Sequence, residues 1–394
     1  MSFFKMKTAR IGFVVVFVVI MVFGLALMGS VLSAKPQNLP VALVVLDQPA
    51  KLPDGSTLAV GEMVKEKLKG IAELPVKWVE VSSEADLAAQ LDEQKVYGAL
   101  VLPADLSSGI ASLQSPSPKP ATVRIVLNEG TNTQAVSAVR MILQQATNTL
   151  SSQLAGQLLG QIGERTQQMP VSAASALLHP FQVTEQVVHP SGSNNANGGA
   201  PNLLVQILWL ACMVTSAFMF LTAREHGKDR RSLTGTITSQ LTAGVVIVTI
   251  ASAFMLWMAH AWYGMAFAEL GSTWLYLWLM AATFFFVQTA LLNWIGLPSM
   301  LLLVLVFFFS MPVIGMPQEL LPQVTADWLY SWTPFRYAAA GLRSIMYFDG
   351  EGALSHSLSV LVGMAAVGLI LAALSVFKPR KAADQSARQP ASQL

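Results

Sequence analysis

Six separate runs of roughly 20 apolar residues interrupt this chain, each about the length at which a helix crosses the hydrocarbon core of a bilayer. They fall at residues 11–32, 203–223, 241–262, 274–295, 297–314 and 358–377. Their distribution constrains the fold as much as their length. One stands alone near the N-terminus, five crowd into the second half, and residues 33–202 between them have ordinary globular sequence. That partition predicts a polytopic α-helical membrane protein with six transmembrane helices, plus an α/β extracytoplasmic domain inserted between helices 1 and 2. The predicted regions are a cytoplasmic N-terminus (1–10), helix 1 (11–32), the inserted domain (33–202), a five-helix membrane domain (203–377) and a disordered cytoplasmic tail (378–394).

Composition points the same way. Hydrophobic residues make up 53% of the chain and charged residues 12%, about half the charged share of an average soluble domain. The single cysteine, Cys212, lies in an apolar run and cannot form an intramolecular disulfide or a zinc site alone. The first run follows Lys5, Lys7 and Arg10 and is longer than the apolar core of a secretory signal. With only Ser30, Ser33 and Ala34 as small residues near its end, it reads as an uncleaved anchor.

Orientation follows from the basic residues. Lys5, Lys7 and Arg10, then Arg224, Lys228, Arg230 and Arg231, then Lys378, Arg380 and Lys381 all fall on one side if the chain crosses six times. By the positive-inside rule that side is the cytoplasm. Residues 33–202, 263–273 and 315–357 then lie outside, and Trp262, Tyr263, Trp274 and Trp332 fall at the outer interface. Between the fourth and fifth runs, Asn293 to Pro298 holds a glycine and a proline without a charge, which predicts a hairpin turn. A single helix of about 40 residues would measure nearly 60 Å, twice the hydrocarbon thickness.

Within the inserted domain, residues 41–46, 76–81, 97–102 and 121–127 are short β-branched or aliphatic runs suited to strands. Residues 62–68 and 84–91 have helical spacing, and Ser83 offers the second a cap. A long proline-free stretch, 131–168, predicts a helix with a packing stripe through Val136, Val139, Ile142, Leu143, Leu150, Leu154 and Leu158. Residues 191–199, rich in Ser, Asn and Gly, have the composition of a flexible linker.

The chemistry-bearing motifs are mostly missing. No Gly-x-x-x-x-Gly-Lys-Ser/Thr loop is present, so any ATP hydrolysis belongs to a partner. The spans hold no Asp or Glu, which argues against a self-powered proton antiporter. The five histidines have no metal-ligand spacing, and no Gly-x-Ser-x-Gly elbow marks a nucleophile. These readings predict no enzyme activity, no cofactor, no metal site and no nucleic-acid partner. Gln206, Gln288 and Asn293 are the candidate intramembrane polar residues, for which helix-to-helix hydrogen bonding and a substrate path are the competing roles. Arg336 and Arg343 lie seven apart, near one face if helical, where they would meet lipid headgroups or an anionic substrate.

Two groups of strings narrow the reading. The first comprises Asn38 to Asp47, Gly61-Glu62, the strand around Trp78, the helix from Glu84, and Val96 to Ser107. The second runs from Trp332 to Arg343 and contains the outer-loop motif Pro334, Phe335, Arg336, Gly341 and Arg343. Together with the order of the spans, they resemble the YhgE/Pip (phage infection protein) family, a branch of the ABC-2 type membrane proteins. The chain departs from longer members in lacking an extended coiled-coil insertion. The resemblance implies a permease-like membrane subunit, a homodimer in the plasma membrane of a bacterium, exporting an amphipathic or envelope-related substrate. It also implies a separate cytoplasmic ABC ATPase docking on the loop holding Arg224, Glu225, Lys228, Arg230 and Arg231, a cluster that serves equally well to set topology. The alternative is a non-transporting cell-surface receptor or secretion scaffold acting through the inserted domain.

Overall fold

The computed structural model describes residues 36–51, 56–71, 74–113, 115, 118–163, 177–226, 230–330 and 333–378. The expected helix 1 at 11–32 and the tail from 379 lie outside the described residues. Two compact units divide the chain: residues 1–205, 258–273 and 308–357 form one, and residues 206–257, 274–307 and 358–394 the other.

The first unit is built on a five-stranded sheet. In chain order the elements are β1 (Leu39–Val45), a small hairpin of β2 (Ala50–Lys51) and β3 (Thr57–Leu58), α1 (Val60–Gly70) and β4 (Val76–Val81). Then come α2 (Glu84–Asp92), β5 (Gly98–Leu102), α3 (Leu106–Ser112), β6 (Ala121–Asn128), α4 (Thr133–Gly163) and β7 (Phe181–Val188). The sheet order is β4-β1-β5-β6-β7. Strand β1 runs parallel to β4 and β5, β6 is antiparallel to β5, and β7 is parallel to β6. Because successive side chains point to opposite faces, β1 and β5 are apolar throughout and feed two cores. Leu39, Val41, Leu43, Leu100 and Leu102 pack with α1, α3 and α4 on one face. Ala42, Val44, Ala99 and Val101 pack with Leu87 and Leu91 of α2 on the other.

The four strands and three helices read from the sequence of this region are present, with ends shifted by a few residues. Ser83 caps α2 by accepting from the Asp86 N–H. The stripe on α4 is a packing face, with Val136, Val139, Leu143, Leu150 and Leu154 all buried. Strand β7 was not anticipated. The expected linker at 191–199 is a correction: it is folded into the unit. The Asn195 amide donates to the Ser191 and Ala266 carbonyls at 2.7 and 2.8 Å, and Asn195 is buried. Asparagine supports such a path because it tolerates left-handed backbone, as Asn194 and Asn197 do here at φ 59° and 51°.

The helices of the second half are α5 (Ala200–His226), α6 (Arg230–Ala261), α7 (Leu270–Ile295), α8 (Ser299–Gly315), α9 (Pro334–Tyr347) and α10 (Leu354–Leu374). Four stretches, Ala200–Glu225, Leu233–Ala261, Leu270–Ile295 and Leu354–Phe377, are long and apolar enough to cross a membrane. The expected span at 297–314 is a shorter apolar helix, Ser299–Met311 by the same measure. It follows a break at Gly296, whose φ of +89° ends α7 where the turn was expected.

Within the second unit α7 is the central helix: 67% of its apolar window is buried, against 22–33% for the other three spans. The outward residues of those helices, such as Phe218, Ile250 and Val367, are more than half exposed, as an acyl-chain solvent requires. Close approach comes from small residues. A Cβ on Gly368 of α10 would lie 2.9 Å from the Val287 backbone nitrogen of α7.

Candidate functional site

Helix α9 forms where the sequence places Pro334 at N1, a position whose N–H has no intrahelical partner in any case. Its apolar residues recur at three- and four-residue spacing, so Phe335, Ala338, Ala339, Leu342, Ile345 and Met346 all point inward and are buried. Burying Phe335 alone is worth about 1.5–3 kcal/mol. The segment expected as an outer-loop motif is therefore a packed helix. Pro334, Phe335 and Gly341 belong to its buried face, whereas Arg336, Ala340 and Arg343 line a cavity of about 380 Å³.

The opposite walls come from the α/β part of the same unit. Glu93, Gln94 and Tyr97 precede β5, Thr131 and Asn132 precede α4, and Ile314, Met316 and Tyr330 are among the residues that add to the lining. Several of these side chains are engaged with one another's elements. The Gln94 amide donates to Ser344 Oγ at 2.9 Å, and the Asn132 amide donates to the Gly315 carbonyl at 3.3 Å. The Tyr97 hydroxyl donates to Glu319 Oε2 at 2.9 Å. Burial, reinforced by the Glu319 carboxylate, raises the Tyr97 pKa well above the ordinary tyrosine value. Burial likewise raises that of Tyr330, with Arg336 opposing it.

The two arginines are held differently. The Arg336 guanidinium stacks 4.4 Å from the Tyr330 ring centroid and 4.6 Å from that of Tyr337, and its Nη1 donates to the Tyr330 carbonyl at 3.0 Å. Arg343 Nη2 donates to Asn202 Oδ1 at 3.3 Å. Its Nε is shielded from solvent with no hydrogen-bond partner, and burial lowers its pKa. Among the described residues neither arginine joins an ion pair. The sequence placed Arg336 and Arg343 on one face; Tyr97, Gln94 and Asn132 escaped it, because only the folded sheet brings them opposite α9, and Tyr330 escaped it because it belongs to the turn just ahead of that helix.

The candidate intramembrane polar residues lie in the second unit. Gln288 of α7 is fully buried and donates to the Trp209 carbonyl of α5 at 3.2 Å. Asn293 of α7 exchanges amide hydrogen bonds with Gln240 of α6 at 3.1 and 3.2 Å and also donates to Ser375 Oγ at 3.1 Å. Gln206 is half-buried on α5. For Gln288 and Asn293 these are helix-to-helix bonds. Lys378, expected to mark topology, donates from Nζ to the Asn293 carbonyl at 3.2 Å, satisfying an end carbonyl of α7.

The candidate coupling segment is tighter than a ten-residue loop. Helix α5 continues through the exposed Arg224 and Glu225 to His226, and α6 already begins at Arg230 and Arg231. Lys228 lies outside the described residues. Among the described residues no group of three or more His, Cys, Asp or Glu could hold a metal ion.

A family model described as "ABC-2 family transporter protein" matches residues 10–374. The chain belongs to the ABC-2 family of transporter proteins. Curated proteins and solved structures give no match. In this ABC-2 family chain the four long apolar helices make a multi-pass membrane protein, and the family assigns it the membrane domain of a permease.

Proposed function

We propose that this ABC-2 chain is the permease subunit of an exporter for an amphipathic or envelope-related substrate, working as a homodimer with a separate cytoplasmic ATPase. Its work is motion and not bond chemistry, so it is not an enzyme. Within ABC-2 it falls in the YhgE/Pip branch that its strings resemble. The proposed arrangement has six spans in a bacterial plasma membrane, both termini in the cytoplasm and residues 33–202 outside. The observation that carries this reading is the family match, which takes in nearly the whole chain from residue 10 to residue 374. A family of transporters whose member contains no phosphate-binding loop needs its energy from a partner. The narrow connection between α5 and α6, flanked by Arg224, Arg230 and Arg231, is the proposed docking point.

The test is purification of the tagged chain in mild detergent, mass spectrometry of what accompanies it, and an ATPase assay on the complex. A stoichiometric ATPase whose stimulation is lost in the Arg230→Gln, Arg231→Gln double variant is the expected result. Recovery of envelope proteins alone, with no ATPase activity, would replace the permease by the cell-surface receptor or scaffold.

A further inference from the structure

We propose that the cavity beside α9 binds the phosphate group of an amphipathic phosphate ester, with Arg336 and Arg343 as the phosphate ligands. This names a substrate class for the permease reading and rests on that reading for the ligand's role as cargo.

The inference begins with the valences left open. Glu93, Gln94, Tyr97, Thr131 and Asn132 are the polar groups of the facing wall, and each is engaged within the protein. The Glu93 carboxylate pairs with Lys95, the Thr131 hydroxyl donates to the Asn128 carbonyl, and Gln94, Asn132 and Tyr97 bond Ser344, Gly315 and Glu319 respectively. The described hydrogen bonds use one N–H of each guanidinium, out of the five that an arginine carries. Two cations that, among the described residues, have no carboxylate partner therefore face one cavity. An unpaired charge in a partly buried setting is unfavourable until an anion or further hydrogen bonds meet it. Lysine would serve as a point charge, but arginine presents a fork that fits oxyanions.

Geometry favours phosphate over carboxylate. Residues 336 and 343 are two helical turns apart, about 10 Å along the axis, so their guanidiniums approach a shared ligand from different directions. A planar carboxylate is saturated by one bidentate arginine, whereas the oxygens of a tetrahedral phosphate point several ways and can accept from both. The stacking of Arg336 between Tyr330 and Tyr337 fixes its plane in advance, which reduces the ordering cost of binding. The remaining wall is apolar: Ile314, from the last turn of the apolar helix α8, with Met316 and Ala339. A ligand touching both walls has a charged head and a hydrocarbon part. The volume of about 380 Å³ lies within the range of roughly 300–1,000 Å³ usual for small-molecule sites, enough for a headgroup and the start of a chain and too small for a whole lipid.

The full-length protein in detergent would be titrated calorimetrically with dihexanoyl phosphatidylglycerol, the phosphate-free dihexanoylglycerol and inorganic phosphate. Saturable binding of the phosphatidylglycerol, about tenfold or more tighter than of the phosphate-free diacylglycerol, identifies a phosphate ester. Binding of inorganic phosphate that competes with the lipid identifies the phosphate alone as the determinant; no phosphate binding assigns the site to the lipid headgroup with its chain. Arg336→Gln and Arg343→Gln should each weaken the favoured ligand by about tenfold or more, and Arg336→Lys should recover only part. Should Arg343→Gln not fold, Arg336→Gln carries the test, since Arg336 is only partly buried, stacked on the likewise partly buried rings of Tyr330 and Tyr337. Equal affinity for the phosphatidylglycerol and the phosphate-free diacylglycerol, or unchanged affinity in a folded Arg336→Gln protein, overturns the proposal. Because binding is read without an ATPase, a chain that binds the ester but recruits no ATPase loses the permease reading and keeps the site.

Discussion

At Asp47 one carboxylate accepts from the Ser107 N–H at 2.7 Å, from the Ser107 hydroxyl at 2.5 Å and from the Gly61 N–H at 2.7 Å. Gly61 lies in the first turn of α1 and Ser107 in the first turn of α3, and neither helix has a side-chain bond from its own N-cap residue. A residue at the end of β1 thus caps two distant helices and places negative charge at both positive ends. Asp47→Asn replaces an acceptor by an amide N–H facing buried donors, so the expected loss is about 2–3 kcal/mol. The thermal unfolding midpoint of the full chain should fall at least twice as far as in Ser83→Ala, which removes one exposed cap worth about 1 kcal/mol. Equal shifts would mean that Asp47 caps only one helix. The tyrosines supply a second expectation at this scale. Tyr97 has its pKa raised in the folded state, so its stabilising contribution is complete below the unfolded value near 10 and is lost as pH rises toward the folded one. Unfolding midpoints measured from pH 9 to 11.5 should decline, and Tyr97→Phe should decline less steeply than the parent.

Helix α10 meets α7 across Gly368, where a Cβ would sit 2.9 Å from a backbone nitrogen and 3.0 Å from a backbone carbon of α7. Backbone cannot swing aside as a side chain can. Gly368→Ala should therefore push the helices apart and lower stability by about 1–3 kcal/mol, although alanine is the better helix former. Gly363, on the same helix, has nothing within 4 Å of its would-be Cβ, and Gly363→Ala should be neutral or slightly stabilising in the same thermal assay. The elements themselves were legible to different degrees, for physical reasons. Strands β1 and β5 announce themselves because both faces are buried. Strand β7 does not: Phe181–Val188 pairs with β6 alone and presents mostly exposed polar side chains, so its apolar signal is thin. A clue was available in α4, since a long helix returning from β6 implies a parallel partner strand. The strings behind the family resemblance contained Asp47, Gly61 and Ser107 as separate fragments, and folding joins them at one carboxylate. The cavity was half legible. Helical periodicity put Arg336 and Arg343 on one face, but their aromatic and amide surroundings come from residues 97, 132 and 330, which periodicity cannot bring together.

For the whole molecule, the sidedness of the α/β unit decides whether its cavity meets the cell exterior, and the chain contains a convenient probe of it. Its one cysteine, Cys212, is fully buried, with its thiol directed to the Ala281 carbonyl at 3.3 Å. The parent should therefore be nearly silent toward a membrane-impermeant maleimide, and single cysteines introduced elsewhere report only on themselves. Glu66, on α1, is exposed and does not line the cavity, and Arg224 is exposed at the far end of α5. The proposed topology has the cluster of Arg224, Arg230 and Arg231 in the cytoplasm, with helix α5, about 40 Å long at 1.5 Å per residue, as the proposed crossing. Glu66→Cys should then label in intact cells whose outer barrier admits the reagent, while Arg224→Cys labels only after the plasma membrane is permeabilised. The reverse pattern would place the arginine cavity in the cytoplasm and remove the docking point between α5 and α6 from any cytoplasmic ATPase. Labelling of both in intact cells would mean that α5 does not cross the membrane, and the six-span arrangement would have to be abandoned.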